Sequence, residues 1–287
     1  MMQVRSWSMW LGAIVLISGW QPVSAWGQKR SARPEIIAHR GASHDAPENT
    51  LASVNLAWQR NAPSVEIDVY LSRDKQVVVY HDKTTKRIGG RDRAVKDQTL
   101  EELRQLDVGS WKSPEFKGEQ IPTLDDVLET VPAGSHLFIE IKAGVEIVPH
   151  IAEMLKQWRP ARRRAVVIAF SFDVATSMKR AMPGIPVYWL VSFEQSKQDG
   201  RWQPDVESVI WKTREGGLDG INTNLTPLLT RELVARVHSQ GLEYYVWTVN
   251  DPEDARFLRD IGIDGITTDR PAWLRQQMRH NGIKPGS

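Results

Sequence analysis

The 287-residue chain predicts an α/β fold, a (β/α)8 barrel, on three observations. Apolar, β-branched runs alternate with helical patterns, as in βαβ units. The runs of each kind number close to eight. The turn after the first run is His39-Arg40-Gly41-Ala42-Ser43-His44, not the glycine-rich turn by which an open doubly wound sheet, the alternative, announces itself.

In order, the strand-like runs are 35–39, 64–71, 76–81, 136–142, 165–170, 186–191, 219–222, 243–248 and 263–268. The helical patterns are 50–60, 123–130, 146–158, 173–181, 205–216, 230–240, 252–260 and 271–279. Residues 83–122 interrupt the alternation. They are polar, carry Gly89-Gly90 and one short helical pattern from Leu100 to Leu106, and read as an insertion on the barrel rim after the run that ends at His81. Glu194 to Pro204 is a second polar loop, and the tail from Asn281 to Ser287 is expected to fray.

The first 25 residues carry one arginine, Arg5, an apolar stretch from Met9 to Trp20 and the ending Pro22-Val23-Ser24-Ala25. This is the pattern of a secretory signal peptide; the stretch is shorter than the roughly 18–20 residues that span a bilayer. Its removal takes away one arginine and no acid, so the formal charge goes from +2 to +1. That balance gives no reason to expect nucleic acid or an anionic membrane as partner. The chain has no cysteine, which excludes disulfides, thiolate metal sites and a cysteine nucleophile. The expected location is a periplasm or the outside of a cell, with no stable membrane insertion after cleavage.

Side chains two apart on a strand share a face. In Val65-Glu66-Ile67-Asp68-Val69 the valines and isoleucine point one way and Glu66 and Asp68 the other. The same alternation puts Glu140 and Lys142 together, with Ile139 and Ile141 opposite. In a barrel the apolar faces pack under helices and the charged faces point into the mouth. Unpaired burial of such groups costs several kcal/mol each (roughly), so something neutralises them. Either a hard divalent cation, Mg²⁺ or Ca²⁺, takes the all-oxygen set Glu66, Asp68 and Glu140, or Lys142 and Arg40 serve alone. His39 and His81 each end an apolar run, where barrel active sites form, and paired imidazoles can accept and donate protons near neutrality. Arg40 offers a fork for two phosphate oxygens, unless Glu48 or Asp45 occupies it. Trp247 is either an apolar wall for a ligand or plain core. His44 and Asp82 read as supporting or solvated groups. No G-x-S-x-G elbow or P-loop occurs.

His39-Arg40-Gly41, Pro47-Glu48-Asn49-Thr50, Glu66-Ile67-Asp68-Val69 and His81-Asp82 together resemble the signature of the glycerophosphodiester phosphodiesterases. The likeness continues through Ile121-Pro122-Thr123-Leu124, Glu140-Ile141-Lys142, Trp247-Thr248-Val249-Asn250 and Asp264-Gly265-Ile266-Thr267-Thr268-Asp269-Arg270-Pro271. It implies a TIM barrel with a small inserted subdomain and hydrolysis of small-molecule glycerophosphodiesters to sn-glycerol 3-phosphate and an alcohol. By position it implies His39 and His81 as the acid–base pair, Arg40 and Lys142 on the phosphate, and one divalent cation on Glu66, Asp68 and Glu140. Two departures, Asn61-Ala62-Pro63-Ser64 before the second strand and Tyr70-Leu71 at its end, touch loop shape and substrate preference. Rival readings on such a barrel are a lysophospholipase D-like or phospholipase C-like phosphodiesterase, and a phosphate-ester binding protein without turnover.

Overall fold

The computed structural model describes residues 33–158 and 164–279; the expected signal peptide 1–25 and the tail 281–287 lie outside them. In chain order the strands are β1 (Glu35–Ala38), β2 (Ser64–Leu71), β3 (Val77–Val79), β4 (His136–Ile141), β5 (Arg164–Ala169) and β6 (Val187–Val191). They continue with β7 (Glu194–Gln195), β8 (Trp202–Gln203), β9 (Gly220–Asn224), β10 (Glu243–Trp247) and β11 (Gly265–Thr268). The helices are α1 (Leu51–Gln59), α2 (Lys86–Gly89), α3 (Leu100–Arg104), α4 (Leu124–Leu128) and α5 (Val148–Gln157). After these come α6 (Phe172–Ala181), α7 (Val206–Glu215), α8 (Arg231–Ser239), α9 (Pro252–Ile261) and α10 (Pro271–Arg279).

The main sheet runs β1-β11-β10-β9-β6-β5-β4-β2, and β2 pairs back onto β1 through Ile37 with Ser64 and Ala38 with Val65. All of these pairings are parallel, so the sheet closes into the eight-stranded barrel the sequence predicts. Polar N-caps fix where helices begin: Thr50, Thr123 and Thr230 each accept from a backbone N–H of the first turn, and Thr50 and Thr123 form reciprocal capping boxes. Val65, Ile67, Val69, Leu137, Ile139 and Ile141 pack outward under α4, α5 and α6. A second apolar set, Ile37, Phe138, Val166, Ile168, Tyr188, Leu190 and Tyr245, fills the barrel interior.

The run at 76–81 corrects the strand count. It is not a barrel stave but the short β3, antiparallel to β2 with Val69 opposite Val79 and Leu71 opposite Val77. The link at 72–76 is closed by Ser72 N–H to Gln76 C=O at 2.9 Å, and a parallel crossover needs about a dozen residues or more, so only a hairpin is possible. The chain therefore climbs past the top of β2 and returns toward it, with Tyr80 N–H on Asp68 C=O at 2.9 Å. His81 reaches the mouth by this return and not as the end of a barrel strand.

Between His81 and α4, the chain forms α2, α3 and two short 3-10 turns, Val95–Asp97 and Pro114–Phe116. Their apolar side chains, Val95, Leu103, Leu106, Val108 and Ile121, gather with Val78 and Tyr80 into a small satellite core. Lys112 Nζ donates to Ser43 C=O at 2.7 Å, tying this segment to the loop after β1.

The barrel floor holds a polar cluster that sequence reading did not foresee. His136 Nδ1 lies 2.7 Å from Glu35 Oε1, which also accepts from Ser64, while Tyr188 donates to Glu243. The rings of Tyr188 and Tyr245 stack at 4.8 Å, and Phe138 lies 5.6 Å from Tyr245. Phe138 is 1% exposed, so Phe138→Ala empties the layer beneath the mouth. The expected cost is about 3–5 kcal/mol, read as a lower urea midpoint with unchanged slope.

Candidate active site

Two adjacent strands deliver the acids. In the β2–β4 register Asp68 lies opposite Glu140, and Glu66 is one inward position lower. All three are buried, and one carboxylate oxygen from each lies within 4.8 Å of the others. Glu66 Oε2 accepts the Arg40 backbone N–H at 2.9 Å. Asp68 is clamped by Asn49, which donates from Nδ2 to Oδ2 at 2.8 Å and accepts the Asp68 N–H at 3.1 Å. Lys142 Nζ sits 2.5 Å from Glu140 Oε1 and 3.2 Å from Asp68 Oδ1. Glu66 Oε1 and Asp68 Oδ1 are buried without a hydrogen-bond donor, and Glu140 Oε1 has the Lys142 ammonium alone beside it.

The loop after β1 places the arginine. Arg40 has φ +52° and Gly41 φ +83°, a left-handed pair. A Cβ on Gly41 would come within 2.5 Å of the Ser53 backbone, so glycine is required there on both counts. Ser53 Oγ donates to Arg40 C=O at 2.8 Å. The turn aims the Arg40 side chain inward, where Nη1 donates to Glu48 Oε1 at 2.9 Å and Nε lies 3.2 Å from Asp68 Oδ2. The expected anion fork is thus already engaged at one edge by Glu48. Asn49, at φ +57°, takes the left-handed conformation that asparagine tolerates better than most residues.

Each histidine is held through Nδ1. His39 Nδ1 lies 2.6 Å from Asp269 Oδ1, and Asp269 also accepts from Ser43 at 3.0 Å and Asn250 at 2.7 Å. His81 Nδ1 lies 2.6 Å from Asp82 Oδ1. With a carboxylate on Nδ1, that nitrogen carries the proton and Nε2 is the free atom in the neutral ring. His44 pairs with Asp45 at the surface. Trp247 is half-buried against the interior cluster, its ring edge-on to Phe170 at 5.6 Å, and Lys142 Nζ lies 5.7 Å from the Phe170 ring centre. Trp247 therefore packs on the interior cluster on one side and leaves part of its ring exposed on the other.

Sequence reading gave no role to Asp269, Asn49 or Phe170. Asp269 carried a signal, since it follows the last barrel strand as His39 follows the first. Phe170 likewise follows β5 at the same end.

The charges are unbalanced, with three carboxylates against the cations of Arg40 and Lys142. Burial, then the charges of Asp68 and Glu140, push Glu66 well above the ordinary carboxylate range. Burial and Asp68 raise Glu140 to about 7, against the pull of Lys142. Burial also pushes Asp68 up, but Lys142, Arg40 and His81 outweigh it and hold this carboxyl low. Burial likewise opposes ionisation of Asp269, and its hydrogen bonds from His39, Asn250 and Ser43 overcome it, keeping it ionised. Burial lowers His81, with Arg40 and Lys142 in the same sense and Asp68 and Asp82 opposing. The close-set oxygens, those of Glu66 and Asp68 without a donor, fit a hard divalent cation.

A scan against family models matches residues 39–273 to the glycerophosphoryl diester phosphodiesterase family. The chain is 36% identical to YhdW of Bacillus subtilis over 258 residues, covering 86% of this chain and 99% of that protein. It is 33% identical over 252 residues to a glycerophosphodiester phosphodiesterase of Caldanaerobacter subterraneus, covering 86% and 98%. Among solved structures, a phosphodiesterase of Oleispira antarctica in complex with the product sn-glycerol-3-phosphate superposes with TM-score 0.77 at 30% identity, covering 86% of this chain and 97% of that one.

The raised Glu140 gives a signed pH dependence. A carboxyl whose folded pKa is raised binds protons in the folded state, so its contribution favours folding at low pH and is lost as pH rises through about 7. The cation-free protein is therefore expected to lose melting temperature between pH 5 and pH 8 through this group. Adding Mg²⁺ or Ca²⁺ at about 100 times Kd should raise the midpoint by roughly 5–10 °C at pH 8 and by less at pH 5, where protons compete. Differential scanning calorimetry at both pH values reads the effect.

Proposed function

Because the chain belongs to the glycerophosphoryl diester phosphodiesterase family, we propose that it hydrolyses glycerophosphodiesters to sn-glycerol 3-phosphate and an alcohol by acid–base catalysis between His39 and His81. One observation carries the reading: His39, the sequence neighbour of Arg40, and His81, whose ring feels the charges of Asp68, Arg40 and Lys142, each bear a carboxylate on Nδ1 beside three close-set acids.

Glu66, Asp68 and Glu140 would hold one divalent cation, Mg²⁺ or Ca²⁺, which when bound supplies positive charge against the phosphoryl oxygens. Arg40 and Lys142 grip the same group, offsetting the charge that repels a nucleophile and stabilising the more negative transition state. His81, kept neutral by burial, accepts at Nε2 the proton of the glycerol 2-hydroxyl, whose oxygen attacks phosphorus in line. His39, with ionised Asp269 fixed on Nδ1, donates from Nε2 to the departing alkoxide. The resulting cyclic 1,2-phosphate is opened by water with the two histidines exchanging roles. Trp247 and Phe170 offer an apolar side to the substrate. We take segment 1–25 to export the enzyme.

A second reading, cleavage of lysophospholipids at the same site, has one observation in its favour: Phe170 is 43% exposed at the mouth, and its exposed ring could meet an acyl chain. Glycerophosphocholine assayed against lysophosphatidylcholine separates the two, with faster turnover expected on the former.

His39→Ala and His81→Ala are each expected to lower kcat on glycerophosphocholine by about 10²–10⁴-fold; wild-type turnover in either would overturn the scheme. A diester lacking the 2-hydroxyl should resist hydrolysis, and undiminished hydrolysis would make water the direct nucleophile. Full chelation should abolish activity, restored by returning Mg²⁺ or Ca²⁺. Activity that survives it removes the cation from the reading.

A further inference from the structure

We propose that Arg87 is a positioning residue that holds His81 and Arg40 in mutual register through two carboxylates; this rests on the roles of His81 and Arg40 given above. Arg87 lies on α2, outside the barrel. Its Nε donates to Asp82 Oδ2 at 2.6 Å and its Nη2 to Asp82 Oδ1 at 3.1 Å. The same guanidinium reaches Glu48, from Nη2 to Oε1 at 2.7 Å and from Nη1 to Oε2 at 3.3 Å. Asp82 Oδ1 is the atom that faces His81 Nδ1, and Glu48 Oε1 is the atom that accepts from Arg40 Nη1. One planar fork therefore spans both carboxylates, and each carboxylate fixes one working side chain.

The base of the fork is itself secured. The Thr85 hydroxyl, just before α2, donates to Arg91 C=O at 2.9 Å, and Gln98 Nε2 donates to Thr85 Oγ1 at 3.1 Å. Thr85 and Gln98 are fully buried. A lysine could not replace Arg87, because an ammonium lacks the planar set of donors that meets two carboxylates at once.

Energetics separate this role from ordinary structural pairing. The Arg87 side chain is 46% exposed, and ion pairs so exposed add little to stability. Placement of catalytic groups is far more sensitive, since a displacement of about 1 Å can cost on the order of 10² in rate. Without Arg87, Asp82 is free to turn away from His81. Glu48 is then free to close on the Arg40 fork and compete with phosphate. The first change acts on kcat and the second on KM.

The test uses the cation-loaded full chain with glycerophosphocholine as substrate, and compares Arg87→Ala, Arg87→Lys, Asp82→Ala and the double variant Asp82→Ala/Arg87→Ala. Arg87→Ala is expected to lower kcat about 10–100-fold and raise KM, with the melting midpoint within about 4 °C of wild type. Arg87→Lys should restore only part of this. The double variant should have a kcat close to that of Asp82→Ala, because both act through His81. Unchanged kcat/KM in Arg87→Ala, or a double variant whose loss is the product of the single losses, would overturn the proposal. If Arg87→Ala does not fold, Arg87→Gln carries the same comparison. Calorimetric binding of inorganic phosphate gives a reading independent of turnover: weaker binding in Arg87→Ala supports the Glu48–Arg40 arm, and equal binding removes it. Should the wild type hydrolyse no glycerophosphodiester yet bind phosphate more tightly than Arg87→Ala, the proposed reaction falls while the positioning role stands.

Discussion

Everything at the mouth of this barrel answers to the mutual repulsion of three buried carboxylates. Glu66, Asp68 and Glu140 are forced together by strand geometry, because β2 and β4 are neighbours and their inward positions come into register. The outward positions are occupied by residues the hydrophobic core requires, so the acids have no other direction to face. Two cations of the chain answer three anions, and the remainder appears as Glu66 and Glu140 resisting ionisation. Such a cluster is costly to the fold and favourable to a ligand that brings positive charge. Stability and binding are thus opposite sides of one electrostatic fact.

Around that cluster lies a shell whose work is orientation. Asn49 grips Asp68 by both its carboxylate and its backbone. Arg40 gives a backbone N–H to Glu66 and a side chain to Asp68 and Glu48, which its left-handed conformation makes possible. Asp269 and Asp82 each fix one imidazole. Several of these residues come in pairs adjacent in sequence, His39 with Arg40 and Glu48 with Asn49. A single tight turn therefore aims two side chains at different partners.

This division explains what the sequence could disclose. The alternation in 65–69 and 139–142 exposes the acids directly, because period-two patterning is a local property of a strand. Eight βα units are legible for the same reason, and element bounds fall within two residues of their expected positions. The hairpin at β3 was misread because an apolar run says nothing about the direction of its pairing; the short link at 72–76 held that information. Asp269 meets His39 from 230 residues away, and Arg87 meets Glu48 from 39. An acid after a strand or an arginine in a polar segment looks like any solvated charge until the fold brings its partner near. Trp247 stays ambiguous in the sequence because an aromatic residue at a strand end suits packing and ligand contact equally, and its packing on the interior cluster shows only in the fold.

The stacked aromatic rings below the acids carry one more consequence. Phe138, Tyr188 and Tyr245, backed by Glu35, His136 and Glu243, fill the barrel beneath the acids, so its axis is a packed core and not a passage. On the proposed reaction, a diester and both halves of its predecessor therefore use the same face of the barrel.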